Sequence, residues 1–148
     1  MTSLTSSAQH SSQGKYFVLR LKPHEDLKAG IVKFAEANGL KAAAIVSCAG
    51  SLEQTNLRYA NQNSGTKLTG FFEIVSLTGT VSNQSQHLHV SVADSKGVTI
   101  GGHLLEGCLV YTTAEIVLVE LTELEFDRET DSTYGYKELV VKPRKRSP

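Results

Sequence analysis

The stretch HLHVSVADSKGVTIGGH (residues 87–103) decides how this chain is built. From His87 to Ala93 the side chains alternate, with His87, His89, Ser91 and Ala93 on one face and Leu88, Val90 and Val92 on the other. A period of two, apolar on one side, is that of a β-strand laid on a core. Asp94-Ser-Lys-Gly97 has turn chemistry, and Val98–Ile100 returns as a short strand that Gly101-Gly102 is expected to break. Antiparallel pairing about this turn places residues 101–103 opposite roughly 88–90.

The same patterns extend outward. Tyr16–Leu21 is a β-rich run ended by Pro23, and Ala42–Ala49, Leu57–Ala60 and Phe71–Val81 read as further strands. Asn61–Gly65 is a polar loop. Leu109–Tyr111 and Ala114–Leu121 follow, with Leu124–Phe126 continuing the latter past a bulge at Thr122-Glu123, and Leu139–Val141 as an edge strand. Only one segment has helical spacing. Leu27, Ile31, Phe34 and Ala35 share a face, Glu25 and Asp26 suit the N-terminal end, and Gly39 suits the position after the last turn. One helix among strands joined by short turns predicts an α+β domain, a mostly antiparallel sheet with one main helix packed on it.

The 148 residues fit one domain, and 40% apolar with 20% charged residues is a globular composition. Residues 1–14 are polar and without periodicity and read as a disordered tail, 15–141 as the domain, and 142–148 as a basic C-terminal tail. No apolar run is long enough to span a bilayer, and the N-terminus lacks the pattern of a secretory signal. Cys48 and Cys108 lie far apart in apolar contexts, which suits a reducing, intracellular setting, cytoplasmic or nuclear.

Net charge is zero, yet Lys142, Arg144, Lys145 and Arg146 are concentrated at the end. Without them 11 basic residues face 15 acidic ones, leaving about −4 on the body. That sign opposes a phosphate-binding surface, so DNA is weakly supported as a partner. The basic segment reads as a solvated tail, a nuclear-localisation signal or a weak phosphate contact. Glu120, Glu123, Glu125, Asp127, Glu129 and Asp131 read as a solvated strand face and loop.

Chemistry concentrates in the histidines. Residues two apart on a strand share a face about 7 Å apart, so His87 and His89 can aim two imidazoles at one point. The hairpin brings His103 near them. Three imidazoles suit a divalent ion such as zinc and leave a tetrahedral ion one open position. The same residues are also consistent with imidazoles satisfied by hydrogen bonds or water. Glu106 and Glu115 are candidate partners for orienting a ligand or moving a proton, or else surface carboxylates. No nucleophile elbow, phosphate loop or paired-carboxylate motif names a reaction.

The string Gly70-Phe-Phe-Glu-Ile-Val-Ser-Leu-Thr-Gly79, with Ala49-Gly-Ser51 before it and His87-Leu-His89 and Gly101-Gly-His-Leu104 after it, resembles the plant and prokaryote conserved (PPC) domain. The resemblance spans residues 16 to about 141. It implies a small α+β fold, a homotrimer, and a family often labelled DNA-binding. In plants the domain follows AT-hooks in nuclear proteins, and one segment contacts protein partners. That segment corresponds here to Gly70, Phe71, Phe72, Glu73, Ile74 and Val75, with Phe71 where plants carry Arg. The histidines at 87, 89 and 103 resemble the stand-alone, metal-carrying prokaryotic branch. Lys142–Arg146 lacks the Arg-Gly-Arg-Pro centre of an AT-hook, whose arginines enter the minor groove. The expected protein is thus a metal-binding homotrimer, with a metal-dependent enzyme or ligand binder, or a protein- or DNA-binding module, as alternatives.

Overall fold

Strand β2 (Ala43–Arg58) organises the molecule because three strands pair with it. A computed structural model describes residues 10–145. Before β2 come β1 (Gly14–Leu21) and helix α1 (Leu27–Ala37). After it come β3 (Thr66–Val81), β4 (Gln86–Ala93), β5 (Thr99–Leu104), β6 (Leu109–Leu121), β7 (Leu124–Thr130) and β8 (Lys137–Pro143). The main sheet has the order β1-β6-β2-β3-β4-β5, all antiparallel, and β7 and β8 form a separate two-stranded ribbon. One helix on an antiparallel sheet is the α+β architecture the periodicity predicts.

One edge of β2 changes partner along its length. It pairs with β6 from Ala43 to Gln54 and then with β5 at Leu57 and Arg58, opposite Leu104 and His103. The other edge pairs with β3 at Ala43 and Ala44 and again from Ser51 to Leu57. The circuit β2-β3-β4-β5 therefore closes on itself, and its closure point is where Arg58 meets His103.

Helix α1 begins where the sequence indicates. Asp26 caps it, its Oδ1 accepting from the Ala29 amide at 2.8 Å, worth about 1 kcal/mol in such positions. The other carboxylate oxygen accepts from the Gly107 amide and so ties the helix start to the loop before β6. Asn38 ends the helix, and Gly39 takes the left-handed conformation at φ 60°. Leu27, Ile31 and Ala35 are buried against a core that includes Leu52, Leu57, Val92, Ile116 and Leu118. Leu88, Val90 and Val92 face that core and turn His87 and His89 outward, as their alternation requires.

Several expectations are corrected. The strands expected at Ala42–Ala49 and Leu57–Ala60 merge into one long β2 that starts at Ala43 and ends at Arg58, and Leu109–Leu121 is continuous. Thr122-Glu123 is a turn, not a bulge, and sends β7 into the ribbon. Gly101 and Gly102 lie inside β5 and do not break it. Their purpose is close approach: a Cβ on Gly102 would stand 2.7 Å from the Arg58 carbonyl oxygen, and one on Gly101 2.9 Å from that of Val90.

At the chain ends, Ser12 and Gln13 hydrogen-bond to Thr122 and Glu123, and β1 starts at Gly14, so the expected tail is tethered from Ser12 onward. Residues 1–9 lie outside the described residues. Lys142 is a β8 residue and not part of a tail; it binds Asp127 and Glu129 at 2.7 and 3.1 Å. Arg144 reaches Glu120 at 3.0 Å, and Glu120 is buried where the sequence suggested a solvated face. Lys145 is exposed, and Arg146 lies outside the described residues.

Candidate metal centre

The β4–β5 hairpin sets His89 opposite His103, one residue from the register expected from the turn alone. His87 Nε2 and His89 Nε2 are 3.2 Å apart, and all three histidines have a ring nitrogen within 4.8 Å of the others. The His87 and His103 rings lie nearly parallel, with centroids 5.1 Å apart and an interplanar angle of 11°. His89 stands edge-on to both.

Two nitrogens bound at 2.0–2.1 Å to one tetrahedral ion are separated by about 3.3 Å. The His87–His89 spacing therefore already equals that of two ligands on one ion. Neighbouring glycines permit the arrangement. A Cβ on Gly79, where φ is +135°, would sit 2.0 Å from the His87 carbonyl oxygen, so only glycine lets β3 lie this close to β4.

The surroundings of His87 and His103 favour their neutral form. Desolvation, reinforced by Arg58, His89 and His87, lowers His103 to about 4. His87 is also lowered, first by desolvation and then by Arg128 and His89, against an opposing pull from Glu138. A neutral imidazole offers a lone pair, which is the form that binds a metal ion.

The residues around this cluster are not those the sequence suggested. Glu106 is exposed, and its backbone carbonyl accepts from Asn56; Glu115 is exposed on β6 opposite Arg20 and Ala49. Neither lines the cavity of about 660 Å³ in front of the histidines. Its charged walls are Arg58 from β2 and Arg128, Lys137 and Glu138 from the ribbon. Arg128 Nη1 donates to His87 Nδ1 at 3.4 Å and to the Lys137 carbonyl at 3.3 Å, and Nη2 donates to Thr80 Oγ1 at 3.3 Å. Nothing near the histidines in sequence points to Arg58 or Arg128; the strand pairings bring them there.

Gly70–Val75 lies in the middle of β3 and does not line the cavity in front of the cluster. Phe72 and Ile74 are core residues, whereas Phe71, Glu73 and Val75 point out. Phe71 is 63% exposed, and its ring meets that of Tyr111 with centroids 4.5 Å apart. Both cysteines are free, and burial raises each thiol to about 11, which suits small apolar fillers and not nucleophiles. No helix among the described residues is long and apolar enough to cross a membrane.

Comparison with known proteins places this geometry in context. The chain is 42% identical to a hypothetical protein from Salmonella enterica, with a TM-score of 0.90 over 93% of this chain and 99% of that one. A metal-containing protein from Archaeoglobus fulgidus superposes with a TM-score of 0.79 at 29% identity, covering 90% of this chain and 99% of that one. A bifunctional protein GlmU from Synechococcus is 44% identical over 87% of this chain, but the chain spans only 20% of that protein's length. Residues 8–122 match the Plants and Prokaryotes Conserved (PCC) domain. The chain thus belongs to the Plants and Prokaryotes Conserved domain family, the family that the string from Gly70 to Gly79 resembles.

Proposed function

We propose that the protein is a homotrimeric metal-binding domain in which His87, His89 and His103 hold one divalent ion, zinc before others. The observation that carries this reading is the convergence of three imidazoles, two with Nε2 atoms 3.2 Å apart, on one accessible point. An all-imidazole donor set favours zinc, copper, iron or nickel over magnesium or calcium. Three protein ligands leave a fourth position, where a bound ion would polarise an incoming oxygen or acidify water. The Archaeoglobus relative, described as metal-containing, supports the same reading.

Elemental analysis of untagged protein tests it. The expected result is about one metal equivalent per chain, lost in His89→Ala. Less than about a third of an equivalent, unchanged by His89→Ala, would falsify the three-histidine site.

A second reading, docking of a protein partner or another copy of the chain, rests on the exposed Phe71–Tyr111 pair. Exposed aromatic pairs of this kind favour association. Light scattering is expected to give a trimer mass, with Phe71→Glu shifting it to monomer. A monomer in the unaltered protein overturns the trimer. DNA binding draws less support: Lys142 and Arg144 are committed to acidic partners within the chain. Retention on DNA at low salt, lost on deleting residues 142–148, would restore that reading.

A further inference from the structure

We propose that the recess in front of the histidines is an oxyanion site, in which Arg58 and Arg128 hold a carboxylate or phosphate of a small polar molecule against the ion. This rests on the metal reading above and names the class of ligand that site takes.

The first observation is the state of the two arginines that line the recess. On the same ribbon and just beyond it, Lys142 is held by Asp127 and Glu129 and Arg144 by Glu120. Among the described residues, neither Arg58 nor Arg128 has a carboxylate within ion-pair distance. Both face the histidines from separate elements, Arg58 from the closure point of the sheet and Arg128 from the ribbon. Arg128 Nε is also shielded from water and has no hydrogen-bond partner. A shielded, unsatisfied guanidinium nitrogen is costly unless a ligand or water completes it.

The second observation is the charge that a loaded site would carry. Two guanidiniums, Lys137 and a divalent ion would face the single carboxylate Glu138 across one cavity. That excess is balanced only by an anion. Guanidinium is the group best shaped for the paired oxygens of carboxylate and phosphate. The cavity, about 660 Å³, also presents the amides of Gln62, Asn63 and Gln86 and the phenol of Tyr136. Such walls favour a hydrogen-bonding molecule over an apolar one.

Metal and anion are chemically linked through His87. In the metal-free protein its Nδ1 accepts from Arg128. Once Nε2 holds an ion, the ring's remaining proton sits on Nδ1, which can no longer accept, and Arg128 Nη1 is released toward the recess.

The test titrates metal-free and zinc-loaded full-length protein calorimetrically with inorganic phosphate and, separately, malonate. At least one anion is expected to saturate the zinc-loaded protein at about 1 mM or below. Arg58→Gln and Arg128→Gln are each expected to weaken it about tenfold or more at unchanged zinc content. Arg58→Gln alone suffices if Arg128→Gln fails to fold. Phosphate alone saturating identifies a phosphorylated ligand, and malonate alone a carboxylate; either supports the site. No saturation by either anion, or full affinity in the glutamine variants, overturns it. Failure to take up zinc ends the metal reading by itself, and the arginine dependence in metal-free protein then still judges the recess.

Discussion

The β4–β5 hairpin and the β7–β8 ribbon face the same recess, but different forces hold them there. The hairpin carries the histidines on one face and Leu88, Val90, Val92 and Leu104, all buried, on the other. Its position is set by the core. The ribbon carries Arg128 and Glu138, exposes most of its side chains, and relies on polar contacts such as those of Lys142 with Asp127 and Glu129. A rigid ligand set thus stands against a wall whose local stability is low. The two can change independently.

The largest effect is expected at Leu88, buried on the opposite face of β4 between His87 and His89. Leu88→Ala is expected to cost about 2–4 kcal/mol in urea unfolding, with weakened zinc uptake. A loss well under about 1 kcal/mol would show that the hairpin is not anchored by the core. Gly102→Ala tests the closure point next. Its Cβ meets the Arg58 carbonyl at 2.7 Å, so β5 has to move off β2 and take His103 with it. About 1–3 kcal/mol of destabilisation and a clear fall in bound zinc are expected, by calorimetry and elemental analysis.

A smaller effect belongs to pH. His103 titrates near 4 in the folded protein and near 6.5 when unfolded, so below 6.5 the unfolded chain takes up the proton that the folded chain refuses. Metal-free protein should therefore lose thermal stability as pH falls from about 6.5 to about 4, and His103→Asn should flatten that slope. An unchanged slope would show that the imidazole meets no such environment. The smallest global effect is expected on the ribbon. Lys142→Ala should leave the unfolding midpoint in place while amide exchange across residues 124–143 accelerates. A large midpoint shift would show that the ribbon folds as one body with the sheet.

What could be read from the sequence follows the range of the interactions. Helix α1 was legible because Asp26 and Gly39 act within a turn of its ends. The hairpin was legible because the Asp94–Gly97 turn fixes its register to within a residue. The exchange of partners along β2 was not, since Leu57 and Arg58 pair with residues more than 40 positions away. For the same reason Gly101-Gly102 read as a break: the backbone that demands glycine there belongs to another strand. Local spacing groups the three histidines, whereas Glu106 and Glu115 are suggested by residue type alone, and the cavity takes its charges from Arg58, Arg128, Lys137 and Glu138. Those four residues reach the site only through tertiary pairing.

The pairing of β1 with β6 sets Gly14 against Leu121 and Leu21 against Ala114. The first strand therefore has to wait for a partner made almost a hundred residues later. Such non-local closure places folding toward the millisecond-to-second end of small-domain rates. During synthesis Tyr16 and Val18 remain on an unpaired edge until β6 has left the ribosome, so the growing chain is most prone to self-association while the central strands are being made.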